Sequence, residues 1–211
     1  RTNKIRFTRH YINIDSNIIK RSIVKFKNLK QKNKSIFNGS LLYSNKWDLS
    51  TRGLRISYDT NKYSLTLIKN SKLMSLAIQG LSYYKKKFIV GKRSSDVLFN
   101  KNYMELLPSG GINDYSKKAL IKQFKIEMIE EVGLNKMDSI PEIFGVFFDF
   151  ENSLIDIFIK YQFNENEFRI IKNNVLVNNE HSYIFFETKN KIMEKINKYT
   201  SSSKYILEQI L

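Results

Sequence analysis

The order of elements read from this 211-residue sequence predicts an α+β fold led by a small strand-rich N-terminal region. Two observations carry that reading. Segments of strand and helix periodicity are mixed along the chain without a regular βαβ repeat. The first seventy residues hold mostly strand patterns, whereas the strongly periodic helix comes later, over 116–131.

The elements follow in order. Ile5 and Phe7, then Ile12 and Ile14, alternate only in pieces, a faint strand signal. Leu41–Tyr43, Leu54–Tyr58 and Tyr63–Leu67 read as strands. The last two alternate with period two, with Asp59, Thr60 and Asn61 as the turn joining them. Leu73–Ala77 is another apolar stretch, and Lys87–Gly91 and Tyr103–Leu107 read as strands. Pro108, Ser109, Gly110 and Gly111 stop the second of these. Leu120, Phe124, Met128 and Val132 recur every four residues, which predicts the helix over 116–131, and Gly133 ends it. Strands are expected at 142–149, 155–163 and 182–187, then a helix at 189–198 and a short one at 203–211.

Composition narrows the chemistry. Apolar residues make up 42% of the chain, enough for a packed core and too many for a disordered one. Cys is absent, which excludes disulfides, thiol catalysis and Cys-ligated zinc and agrees with a reducing, cytoplasmic setting. The only histidines are His10 and His181, so multi-His metal centres are excluded too. A divalent metal would sit mainly on carboxylates, which favours magnesium or manganese. No apolar run reaches about 18 residues, so no membrane span is expected.

The formal net charge is +16, and it is unevenly placed. Residues 1–70 hold sixteen Lys and Arg against three acids, a net +13, and residues 71–211 hold twenty bases against seventeen acids, a net +3. The chain therefore divides near Asn70–Lys72 into a basic N-terminal region, 1–70, and a nearly balanced region, 71–211. The densest basic run is Lys20, Arg21, Lys25, Lys27, Lys30, Lys32 and Lys34. It reads either as a solvated face or as a contact for nucleic acid or another polyanion. Phe26 is the only aromatic in the run, which argues against a base-stacking platform.

The chemistry concentrates in one stretch. Pro108, Gly110, Gly111 and Gly133 are four of the ten Gly and Pro residues in the chain, and all lie within 108–133. Glu127, Glu130 and Glu131 lie inside it at i, i+3 and i+4, on one helix face. Like charges so spaced cost a few tenths of a kcal/mol per pair, and a bound cation would relieve that cost. A Gly pair before a helix lets backbone N–H groups approach a phosphate. Together these suit phosphoryl or pyrophosphate chemistry, and the plain alternative is a solvated acidic face.

Here the chain resembles the Nudix hydrolase superfamily. Glu127-Met128-Ile129-Glu130-Glu131-Val132-Gly133-Leu134 matches the second half of the Nudix box, E-U-x-E-E-x-G-U with U aliphatic. Phe88–Ser95 followed by Met104–Gly111 is similar to the strands that precede the box in many members. The resemblance covers about 71–211 and implies an α/β/α sandwich with a mixed sheet as the catalytic domain. It implies magnesium or manganese on Glu127, Glu130 and Glu131, and Gly110, Gly111 and Arg93 as substrate-binding residues. It also makes Glu180 the candidate general base, against the alternative of a capping or solvated loop Glu. His181 reads as a surface or core histidine, and Phe144, Phe147, Phe148 and Phe150 as core, with a base-stacking role for one of them as the alternative.

The box is degenerate. Ile126 stands where the family has an Arg that orients the adjacent Glu, and Lys117 stands where it has a Glu. The spacing from Gly111 to Glu127 is one residue longer than the pattern. Asp114 is placed to replace the missing acid in part, and Gln123, four residues before Glu127, is placed to orient it. Upstream, Ile36–Ser40 and the segment Tyr58–Tyr63 resemble the N-terminal region of the UDP-sugar-cleaving branch.

The expected activity is magnesium-dependent hydrolysis of a nucleoside diphosphate linked to a group X, with a nucleotide sugar favoured. The alternatives are an RNA cap or 5′-triphosphate hydrolase, and a catalytically weak or inactive nucleotide-binding module. The expected partners are that small molecule, a nucleic acid reached through 1–70, and a second copy of the chain as a homodimer, with no membrane.

Overall fold

The computed structural model describes residues 5–32, 38–50, 53–68, 72–114, 118–173 and 180–210. Lys34, Ile36, Phe37, Lys117, Asn178 and Asn179 lie outside them. By contacts the chain forms two units. One comprises 1–77, 111–119 and 148–155, the other 78–110, 120–147 and 156–211.

In the first unit, β1 (Ile5–Arg9), α1 (Ser16–Lys32), β2 (Ser40–Ser50) and β3 (Gly53–Lys62) follow one another. β1 pairs parallel with β3, and β2 pairs antiparallel with it, from Ser40 opposite Lys62 to Ser50 opposite Gly53. α1 covers the basic run from Lys20 to Lys32, and no acid interrupts it. Ile18 and Ile19 turn inward onto Ile12, Tyr43, Leu65 and Leu73, while Lys20, Arg21 and Lys27 face solvent. Ser22 is buried 3.4 Å from the Ser64 hydroxyl, and the Lys25 ammonium donates to the Leu67 carbonyl.

Two expectations fail here. Asp59–Asn61 is not a turn, and Tyr63–Leu67 is not a strand. β3 runs straight through Asp59, Thr60 and Asn61, opposite Tyr43, Leu42 and Leu41. Tyr63–Leu67 is a 3-10 turn. Local hydrogen bonds account for it: the Thr66 hydroxyl donates to the Tyr63 carbonyl, and the Asn38 side chain accepts from the Ser64 N–H. Hydroxyl and amide side chains that satisfy the backbone locally compete with a sheet ladder. The alternation of Leu65 and Leu67 marked burial correctly but not strand geometry.

β4 (Met74–Tyr84) gives its first residues to the first unit, where Tyr43 faces Ser75, and the rest to the second. Then come β5 (Lys87–Arg93), β6 (Met104–Leu106), β7 (Ser109–Gly111), α2 (Ala119–Val132), β8 (Glu142–Asp149) and β9 (Leu154–Gln162). α3 (Glu165–Asn173), β10 (His181–Thr188), α4 (Lys189–Met193) and α5 (Ser201–Ile210) close the chain. In the second unit β5 is antiparallel to β4, β6 and β10. Its core gathers Leu81, Phe88, Val90, Leu106, Phe158, Ile192, Tyr199, Ile206 and Leu207. A mixed sheet with helices agrees with the predicted α+β class.

α2 is the helix the spacing predicted, and Leu120, Phe124, Met128 and Val132 are all buried. Gly133 ends it at φ 71°, where a Cβ is penalised. The N–H groups of Gly133 and Leu134 bond back to the carbonyls of Ile129 and Met128, the first of them the bond of an αL-type close. The expected helix at 189–198 is α4 followed by a 3-10 turn at Ile196–Lys198. α3 was not foreseen. Asn164 and Glu167 cap it reciprocally, each accepting the other's N–H. Phe144 and Phe147 pack on Phe158 as core. Phe148 and Phe150 instead flank Trp47 in the first unit, and Phe150 is 55% exposed.

Candidate functional site

The candidate site is built in the second unit from α2, β5, β6 and β10. α2 presents Glu127 and Glu131 one turn apart, alongside the buried stripe of Leu120, Phe124 and Met128, so the same packing that anchors the helix draws these acids inward. Glu131 is buried, Glu127 half-buried and Glu130 exposed. The Gln123 amide donates to Glu127 Oε1 at 2.7 Å, the orienting role that the missing arginine at Ile126 left open. The Ser109 N–H of β7 donates to Glu131 Oε2 at 2.7 Å.

The two glycines of the pair do different work. A Cβ on Gly110 would stand 2.1 Å from Glu127 Oε1, so only glycine leaves room for that carboxylate. A Cβ on Gly111 would meet Leu41 in the first unit.

Beside Glu131 lies a buried group that the sequence did not single out. Glu105 on β6 accepts Arg93 Nη1 at 2.6 Å and the Nε2 of His181 at 2.7 Å, both at Oε1. The other imidazole nitrogen, Nδ1, lies 3.8 Å from Glu131 Oε1. Glu105, Glu131 and His181 are 4%, 3% and 0% exposed. His181 is thus not a surface residue but a buried histidine with a hydrogen-bond partner, one of the two readings expected of it. It hydrogen-bonds Glu105 and turns its other nitrogen toward Glu131. Register explains the meeting: Gly91 of β5 lies opposite Glu105, and Arg93 lies opposite His181. A lone acid in the apolar strand Met104–Leu107 was the available signal, since a buried carboxylate needs partners.

Charge is distributed unevenly across these acids. Burial alone would raise the Glu105 carboxyl, but the His181 hydrogen bond and the Arg93 guanidinium outweigh it and hold it below its ordinary value. Burial works against the Arg93 charge, and Glu105 holds its pKa up. Glu127 is pushed up to about 7 by burial and by the nearby acids Glu130, Glu180 and Glu105, against the pull of Gln123. Glu131 is driven well above the carboxylate range by burial, Glu105 and Glu127, with the Ser109 N–H opposing. Glu180 contributes to the crowding at both α2 acids, and its backbone carbonyl accepts the Ser94 N–H at 2.7 Å.

This donor set fits a hard divalent cation. Two carboxylates one turn apart, both held above their ordinary range by burial and neighbouring acids, mark a place where positive charge would offset the crowding. Glu105, Glu131 and His181 also present ligand atoms within 4.8 Å of one another. In that trio the two imidazole nitrogens face different acids, Glu105 at 2.7 Å and Glu131 at 3.8 Å.

No family model matches the chain, and no curated protein matches it in sequence. Solved structures match it in fold. The chain is similar to Tm1382, described as a candidate Nudix hydrolase, with a TM-score of 0.53 over 80% of this chain and 96% of that one, at 7% identity. It is similar to DR0079 from Deinococcus radiodurans, with a TM-score of 0.51 over 64% of this chain and 81% of that one, at 11% identity. A Nudix hydrolase from Nitrosomonas europaea aligns over 64% of this chain and 86% of its own at a TM-score of 0.48 and 12% identity. The architecture is that of the Nudix fold.

Proposed function

We propose that this protein is a divalent-metal-dependent pyrophosphohydrolase acting on nucleoside diphosphates linked to a second group. The observation that carries it is the crowded pair Glu127 and Glu131, oriented by Gln123 and the Ser109 N–H beside a glycine that makes room for them. Glu127, Glu130 and Glu131 would hold magnesium or manganese. When bound, such an ion polarises a phosphoryl oxygen and makes its water a better nucleophile.

The other residues divide the remaining work. Glu180, close to both α2 acids, takes the proton of the attacking water. Arg93 gives hydrogen bonds to Glu105 and the Phe99 carbonyl and keeps further guanidinium N–H donors for a substrate phosphate. Gly110 stands against the Glu127 carboxylate and is the glycine placed to line the substrate's approach. Products would be a nucleoside monophosphate and a phosphorylated second group.

A nucleotide sugar heads the substrate classes to test. Of the upstream phrase that suggested it, Ile36 and Phe37 lie outside the described residues, and Asp59–Lys62 belongs to β3. A second reading, a nucleotide-binding module without turnover, is favoured by Ile126 and Lys117. Gln123 on Glu127 weighs against it, because it supplies an orienting contact of the kind Ile126 lacks.

The test is a panel of nucleoside diphosphate sugars, dinucleoside diphosphates and capped or 5′-triphosphorylated RNA, with magnesium or manganese present. Metal-dependent release of a nucleoside monophosphate is the expected result, and Glu130→Gln and Glu131→Gln should each abolish it. Nucleotide binding with no turnover of any substrate would remove the hydrolase reading in favour of the second.

A further inference from the structure

We infer that His181 is a positioning residue that sets the Glu131 carboxylate for metal binding, backed by the buried chain Arg93–Glu105–His181. The inference rests on the metal reading above.

The geometry is specific. Arg93 and His181 converge on the same oxygen of Glu105, at 2.6 and 2.7 Å. The far side of the imidazole then faces Glu131 Oε1 at 3.8 Å, while the other Glu131 oxygen takes the Ser109 N–H. Glu131 is therefore held by a hydrogen bond at one oxygen and faced at the other by the imidazole edge, 3.8 Å away. The ring itself is fixed in turn by the charged pair behind it, an arrangement like that which orients side chains around metal centres.

Two features of the backbone serve this histidine. β10 carries a register irregularity between His181, opposite Arg93, and Tyr183, opposite Lys92. A bulge of this kind re-aims a side chain that would otherwise follow the strand's alternation. β5 carries Gly91 directly beneath the ring, where a Cβ would stand 2.5 Å from the imidazole Cδ2. With only eight glycines in the chain, one sits where any other residue would displace His181. A histidine filling space in an apolar core would need neither feature nor two acids.

The experiment is a manganese titration of the metal-free protein without substrate, read by the magnetic resonance signal of free manganese. His181→Asn keeps an amide near the Nδ1 position, facing Glu131. His181→Gln keeps one near the Nε2 position, facing Glu105. Gly91→Ala displaces the ring without removing it.

His181→Gln and Gly91→Ala should each weaken manganese binding by at least about ten-fold, with His181→Asn staying within about three-fold of the parent. Unchanged binding in His181→Gln would overturn the inference. So would equal losses in Asn and Gln, which would report packing alone, or a parent protein that binds no manganese. Manganese binding with this ranking, but with no nucleotide hydrolysed, upholds the positioning role and removes only the hydrolase reading.

Discussion

At Glu127 the balance of burial, neighbouring charge and hydrogen bonding fixes a measurable property. Its pKa is raised from the ordinary 4.5 to about 7, so between those pH values the folded protein holds a proton there that the unfolded chain has lost. A raised pKa gives a stability contribution that is fully present below about 4.5 and lost as pH rises through about 7. Without metal, thermal stability should therefore fall across that window, by at most about 3 kcal/mol from this residue. Glu127→Gln should flatten the fall in a calorimetric pH series, and added magnesium should reverse it in the parent. A pH profile identical in Glu127→Gln and parent would show that the carboxylate is not crowded. At this scale the sequence was informative for some residues and silent for others. Glu127, Glu131 and Gln123 share one helix, so their relation follows from a fixed 3.6-residue period. Glu105 and His181 lie 76 residues apart, and no local period relates them.

Among the elements, α2 shows why its ends matter to the site. Glu131 is two residues before Gly133, whose φ of 71° lets the chain leave the helix with its last carbonyls satisfied. Gly133→Ala should cost about 1 kcal/mol in urea unfolding, because an L side chain in the left-handed region is penalised by that order. A variant as stable as the parent would mean that the helix end had rearranged. Legibility of the elements depended on how they are stabilised. α2 was legible because a buried apolar stripe sustains it over its whole length. The 3-10 turn at Tyr63–Leu67 was not, because side-chain bonds from Thr66 and Asn38 decided between two geometries that bury the same leucines. α3 was hidden by its polar composition and is declared by a cap, Asn164 with Glu167.

Over the whole molecule, charge and chemistry are segregated. The site's acids lie in the region of net +3, while α1 displays exposed Lys20, Arg21 and Lys27 within the region of net +13. Reversing those three to Glu should weaken any retention on RNA and reduce its salt dependence, the slope tracking the number of phosphates neutralised. The same variant should hydrolyse a small nucleotide substrate at the parent rate. Loss of that hydrolysis would tie the basic surface to the reaction itself. Among the described residues no helix is long and apolar enough to cross a membrane.

The sequence by itself determined the mixed α+β class, the helix that carries the acids, the glycine that ends it and the uneven charge. Each of these follows from local periodicity, composition or the stereochemistry of one residue. Only the tertiary structure decided that Glu105, Arg93 and His181 meet Glu131, that Gly110 clears space for Glu127, and that β3 runs on where a turn was expected. Those outcomes depend on strand register and on contacts between residues far apart in the chain, and a linear sequence does not display register.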